Sequence, residues 1–214
     1  MTIIDETVDD VRVLVWRIEE DYESLLALHP CPDSIDKEVK GRFRSKSRQL
    51  EWLAARVLLC RALGKYVTIM YDDDGAPLLP DAENMNISIS HTLHRQGEQL
   101  NGYVAIILSG MHRVGIDIEM ISEKVDRVKS RFVREDEHSV SNISNMIHWS
   151  AKETLFKLLR HEGADFLKDM FIHPFQEQNE GVIYADEYIS GKTIPVKYWV
   201  YDDFVMTASA DHIP

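Results

Sequence analysis

The sequence predicts an α+β protein made of two similar halves, residues 1–110 and 111–214. Three observations lead there. A long helical pattern is followed by strand-like runs ending in Tyr103-Val-Ala-Ile-Ile-Leu-Ser109. A second helical pattern is followed by runs ending in Phe204-Val-Met-Thr-Ala-Ser209, an echo of pattern with slight residue identity. Finally, 214 residues with 44% hydrophobic content can bury a real core, as one domain or two small joined ones.

In order, Val11 to Ile18 reads as a strand with Val11, Val13, Val15 and Arg17 on one face. Glu19 to Leu28 reads as a short helix, ended by His29-Pro-Cys-Pro32 because each proline restricts the residue before it. A basic run, Lys40, Arg42, Arg44, Lys46 and Arg48, leads into an amphipathic helix from Ser47 to Leu63. Leu50, Leu53, Ala54, Val57 and Leu58 mark its buried side, and Gly64 caps it. Tyr66 to Tyr71 is extended and Asp72 to Pro77 is a turn; the acidic turn lacks the alternating ligands and distal glutamate of a calcium loop. Asn86 to Ser90 alternates as a strand and delivers Ser90-His91-Thr92 at its end, where a hydroxyl, an imidazole and amides can hold a phosphate. The alternative there is an ordinary exposed loop, continued by Arg95-Gln96-Gly97. Tyr103 to Ser109 is a buried strand, and Gly110 to Arg113 turns it into the next strand as a hairpin.

That next strand, Val114-Gly-Ile-Asp-Ile-Glu119, puts Val114, Ile116 and Ile118 on one face and Gly115, Asp117 and Glu119 on the other. Carboxylates two apart on a strand are separated by roughly 6.7 Å and repel by about 2.5 kcal/mol at an effective dielectric of 20. A bound cation turns that cost into a gain, and hard oxygen ligands beside a glycine suit Mg²⁺ shared with a substrate phosphate. An amphipathic strand with its polar face in water is the plainer alternative. Helical material begins near Ser122 on Val125, Val128, Phe132 and Val133, and Glu135-Asp-Glu137 reads as a solvated face. The helix around His148 to Lys157 places Trp149, Glu153, Phe156, Lys157 and Arg160 on one side. Glu153 and Lys157 stand in the favourable i,i+4 order, worth about 0.3–0.5 kcal/mol as a surface pair. Val182 to Tyr184, Pro195 to Tyr201 and Phe204 to Ala210 read as strands, with Asp202-Asp203 as a hairpin turn.

The net charge of −12 argues against non-specific binding to nucleic acid or anionic membranes, although a local basic patch can still serve a small anion. No apolar run reaches the roughly 18 residues of a membrane helix, and the acidic opening is unlike a signal peptide, so a cytoplasmic protein is expected. Cys31 and Cys60 fit no metal-binding spacing and read as reduced structural thiols.

Three elements occur in fixed order: Ile87-Ser-Ile-Ser-His-Thr92, Val114-Gly-Ile-Asp-Ile-Glu119 and Trp149-Ser-Ala-Lys-Glu-Thr-Leu-Phe-Lys157. Together they closely resemble the 4′-phosphopantetheinyl transferase superfamily, in its longer, pseudo-dimeric type that serves peptide synthetases. The resemblance implies two α/β halves with coenzyme A in the cleft between them, and transfer of phosphopantetheine to a serine of an apo acyl or peptidyl carrier protein. It implies Asp117, Glu119 and Glu153 as ligands of Mg²⁺, with Mn²⁺ equally suited. It implies catalytic roles for Glu153, Lys157 and Asp117. Ser90 and His91, Lys152 and Lys157, and Arg48 or Arg44 fall where the family binds the coenzyme. Two internal halves imply a monomer. One departure stands out: many relatives have Gly-Lys-Pro where this chain has Gly75-Ala-Pro77, so one expected phosphate contact is missing. That departure leaves room for a non-catalytic binder of coenzyme A or carrier. Carriers of this kind are acidic, and Arg127 to Arg134 offers a basic docking surface.

Overall fold

The computed structural model describes residues 2–82, 84–96, 99–160 and 163–212. The chain divides into two compact units, Met1–Met111 and His112–Pro214. In the first, β1 (Thr2–Val8) and β2 (Val11–Ile18) are followed by α1 (Tyr22–Ala27), α2 (Pro32–Arg42) and α3 (Lys46–Leu63). A small hairpin, β3 (Met70–Tyr71) and β4 (Pro77–Leu78), precedes β5 (Asn86–Gln96) and β6 (Gln99–Ser109). The main sheet is antiparallel in the order β1-β2-β6-β5.

β1 forms from the acidic opening of the chain. It is an edge strand, largely exposed, so its polar residues hid its β-branched ones. On β2 Leu14, Trp16 and Ile18 join the core with α3, and Val15 on the opposite face is also buried. Pro32 does more than stop α1: it opens α2, because a proline in the first helical turn gives up an N–H that had no partner anyway. α3 ends as expected on Gly64, whose φ of 66° is left-handed. β5 runs past Ser90, paired with β6 as far as Gln96↔Gln99, so Ser90-His91-Thr92 lies mid-strand rather than in a loop. Gly97 of the expected loop falls outside the described residues.

In the second unit, β7 (His112–Met120) leads through α4 (Lys124–Val128) to α5 (Asn142–Leu159), then β8 (Met170–Ile172), β9 (Glu180–Glu187), β10 (Lys192–Val200) and β11 (Phe204–His212). The sheet order is β7-β11-β10-β9-β8. The expected hairpin of β6 with β7 does not form. Both edges of β6 are taken, by β2 and β5, and β7 pairs with β11 from Met120↔Phe204 to His112↔His212. The Asp202-Asp203 turn does form, with Tyr201 N–H donating to the Phe204 carbonyl. α5 lies against β7 and β11, its Ile147, Ala151, Leu155 and Leu158 meeting Ile183, Val196, Tyr198 and Val205. A Cβ on Gly115 would stand 2.3 Å from the Thr154 carbonyl, so the room beside the acidic face is filled by α5 rather than kept for a ligand. Among the described residues, no helix is long and apolar enough to cross a membrane.

Candidate active site

The acidic face of β7 turns toward α5. Asp117 and Glu119 stand in register with Thr207 and Val205 of β11, whose side chains point to the same helix, while Ile116 and Ile118 face away. From α5, Lys157 Nζ donates to Asp117 Oδ1 at 2.7 Å and to the Ile116 carbonyl at 3.1 Å. Two helical turns earlier on α5 and two residues further along β7, Trp149 Nε1 donates to Glu119 Oε1 at 2.9 Å. The lysine therefore answers the strand acid directly.

The electrostatics bind the carboxylates together. Burial, and then the charge of Asp117, push Glu119 up to about 7, against the pull of Trp149 and Lys157. Burial and Asp117 also raise Glu153, with Lys157 opposing. Three acids in one field are costly as anions without a cation to share. Among the described residues, no three His, Cys, Asp or Glu side chains are gathered to hold a metal as they stand. Asp117 and Glu119 are already engaged by Lys157 and Trp149. The chemistry of the donor set, three carboxylates with no sulfur or imidazole, fits a hard divalent cation.

Beneath this face lies a polar contact that sequence reasoning missed. Thr207 Oγ1 meets Ser150 Oγ at 2.9 Å and Thr154 Oγ1 at 2.6 Å, and Thr154 also donates to the Thr207 carbonyl at 3.1 Å. The signal was faint, since Ser150, Thr154 and Thr207 are ordinary in helix and strand.

Lys152 is a correction. Its side chain is fully buried, and its ammonium donates to the carbonyls of Phe132, Phe166 and Met170 and to Glu137. A lysine so enclosed braces α5 and is not placed to meet a coenzyme phosphate. Glu137, expected on a solvated face, is its buried partner, and it also accepts from the backbone N–H of Arg134 and Ile172. One acid of the run Glu135-Asp-Glu137 is inside because the buried lysine and two N–H groups need an acceptor there.

In the first unit, Ser90 and His91 are successive on β5 and so point to opposite faces of the sheet. The structure does not bring their side chains together. His91 Nδ1 lies 3.5 Å from Glu51 Oε1 on α3, an electrostatic contact longer than a hydrogen bond, and Arg48 reaches Glu51 Oε2 at 3.3 Å. Arg48, Glu51 and His91 thus form one polar cluster, with Arg44 exposed in the bend before α3. The basic segment after β7 is α4 and a short 3₁₀ turn, Lys129–Arg131, rather than one helix. Arg127 and Arg131 are exposed there, whereas Arg134 is tied to Asp136 and the Leu167 carbonyl.

The comparison with known families meets this geometry where the carboxylates are. Residues 113–209 match the 4′-phosphopantetheinyl transferase superfamily. The matched stretch contains Asp117, Glu119, Glu153 and Lys157, so the resemblance carried by the second and third motifs holds; the Ser90-His91 motif lies outside it. Among curated proteins, the chain is 34% identical over 98 residues to 4′-phosphopantetheinyl transferase AcpT of Salmonella typhi and to that of Salmonella typhimurium. Each match covers 46% of this chain and 45% of the relative, so the chain spans just under half the length of the curated relatives it matches.

Proposed function

We propose that this protein transfers the 4′-phosphopantetheine group of coenzyme A to a serine hydroxyl of an apo carrier protein, releasing 3′,5′-ADP. The observation that carries the reading is the coincidence of the family match with the Asp117, Glu119, Glu153 and Lys157 group on β7 and α5. Asp117, Glu119 and Glu153 would hold Mg²⁺, which when bound supplies positive charge to the pyrophosphate. In the transfer, the serine oxygen forms a bond to the phosphorus that bears pantetheine, the bond to the bridging oxygen breaks, and 3′,5′-ADP leaves with that oxygen. Glu153 takes the serine proton. It is half-buried, and burial raises its proton affinity, the direction that favours a general base. Lys157 offers a fixed ammonium to the phosphoryl oxygens, an effect that strengthens as water is excluded.

Ser90 and His91, with Arg48 or Arg44, are proposed to contact the coenzyme. Their placement on opposite sheet faces makes His91, grouped with Arg48, the better single choice for a phosphate. The exposed Arg127 and Arg131 are proposed to meet an acidic carrier, and the chain is proposed to act as a cytoplasmic monomer.

The test is chromatographic detection of 3′,5′-ADP from coenzyme A and Mg²⁺. Release only when an apo carrier is present supports the transfer. Coenzyme A binding with no release on any carrier, acyl or peptidyl, would favour a binding protein instead.

A further inference from the structure

Two cationic side chains lie almost wholly inside the described structure, Lys152 at 0% exposure and Arg56 at 4%. Their surroundings differ. Lys152 has a carboxylate and three carbonyls around it, as described above. Arg56, on α3, stacks its guanidinium 3.1 Å from the ring centre of Trp52, and its Nη1 donates to the Trp52 carbonyl at 3.2 Å. Its Nη2 is buried with no hydrogen-bond partner among the described residues. Trp52 is itself 7% exposed, and its indole Nε1 is also buried without a partner. Two buried N–H donors on side chains one helical turn apart are therefore without a hydrogen-bond partner among the described residues.

The charge there is also unanswered. Among the described residues no carboxylate forms an ion pair with Arg56; Glu38 acts on it through its field, and Arg42 adds further positive charge. Burial holds the guanidinium down at about 10, so it stays charged at neutral pH. A buried charge without a counter-ion and a buried donor without an acceptor are both unfavourable, and each calls for an explanation in a native fold. Tyr71 of β3 lies close enough to Arg56 for its hydroxyl to favour the guanidinium charge, and Arg42 lies 5.7 Å over the Tyr71 ring. Arg42 also lies over Phe43, which packs on Trp52. Tyr71 is 38% exposed and sits on a hairpin of two residues per strand.

We propose that Arg56, Trp52 and Arg42 form a binding site for a phosphate-type oxyanion, entered past Tyr71. An oxyanion fits because these three side chains offer donors or positive charge and no acceptor. Several oxygens on one centre can take the indole N–H and the guanidinium edge together. The site lies within the first unit, uses none of the residues placed in transfer, and stands whether or not the chain is a transferase.

The full-length protein, with ¹⁵N-labelled tryptophan, is titrated with sodium phosphate at constant ionic strength against a sodium chloride control. The four tryptophans give separate indole N–H signals, and Trp52→Phe identifies the one at the site. The expected result is a saturable shift of the Trp52 signal with phosphate and not with chloride, weakened about tenfold in Arg42→Ala. Arg42 is exposed on α2, so that variant keeps the fold even where an Arg56 variant does not. A Trp52 signal unmoved by phosphate, moved equally by chloride, or equally responsive in Arg42→Ala would overturn the site. A parallel titration with coenzyme A separates the sources: saturation at lower concentration than phosphate assigns the site to a phosphate ester, and the reverse order assigns it to the free anion.

Discussion

Glu153→Gln keeps the size and the hydrogen-bonding reach of the side chain on α5 while removing its capacity to take a proton. Turnover should fall by at least about a hundredfold with little change in melting temperature. Near-normal turnover in that variant would take Glu153 out of the chemistry. A second residue-scale expectation concerns the buried pair. Lys152→Met alone should destabilise the protein by about 3–5 kcal/mol, because Glu137 is left buried and unpaired, and Lys152→Met with Glu137→Leu should recover much of that in a double-mutant cycle. Recovery is what distinguishes a structural brace from a coenzyme contact. Only the tertiary fold could reveal it: Lys152 sits in the same motif as Glu153 and Lys157, and nothing in Ser-Ala-Lys-Glu says that one lysine turns inward and the other toward the acids.

His148 adds a pH dependence. It is buried, its Nδ1 donates to the Ser144 carbonyl at 2.8 Å, and burial lowers its proton affinity in the folded state. Its stabilising contribution is therefore fully present above the unfolded value of about 6.5 and is lost as pH falls from there toward the lowered folded value. Melting temperature should drop on acidification through that window, and drop less in His148→Gln. Equal slopes in both proteins would assign the acid sensitivity to other groups, of which His29 has the same sign.

At the scale of elements, the contact of β7 with α5 holds the acids of the strand against the helix. Gly115→Ala would drive a methyl group into the Thr154 carbonyl, and overpacking of this kind costs about 1–3 kcal/mol. The loss should appear in thermal unfolding, with transfer falling as well, because Asp117 and Lys157 meet across this same contact. Undiminished transfer would mean that the contact does not set the site. The long helices α3 and α5 were legible because each shows apolar residues at helical spacing, with Gly64 as the stop of α3, whereas α2 was hidden behind the proline that opens it. The alternation of β7 gave the acidic face correctly, since the period of two is a property of any strand. The edge strand β1 mixes its apolar residues with acids, and β8, though wholly apolar, is only three residues long, too short to show a period. The β6 to β7 hairpin failed for a different reason: a tight link between two strands says nothing about whether their edges are already occupied.

At the scale of the whole molecule, the proposed function requires a chain of net charge −12 to offer an acidic carrier a local positive surface. Charge reversal at the exposed Arg131 should raise the KM for carrier severalfold and leave the KM for coenzyme A unchanged; an unchanged carrier KM would put docking elsewhere. The most direct measurement of the central proposal is the intact mass of an apo carrier protein incubated with this protein, coenzyme A and Mg²⁺, with an EDTA control. The account predicts a metal-dependent gain of one phosphopantetheinyl group, absent with Glu153→Gln. An unmodified carrier across acyl and peptidyl types, with coenzyme A binding intact, would contradict it.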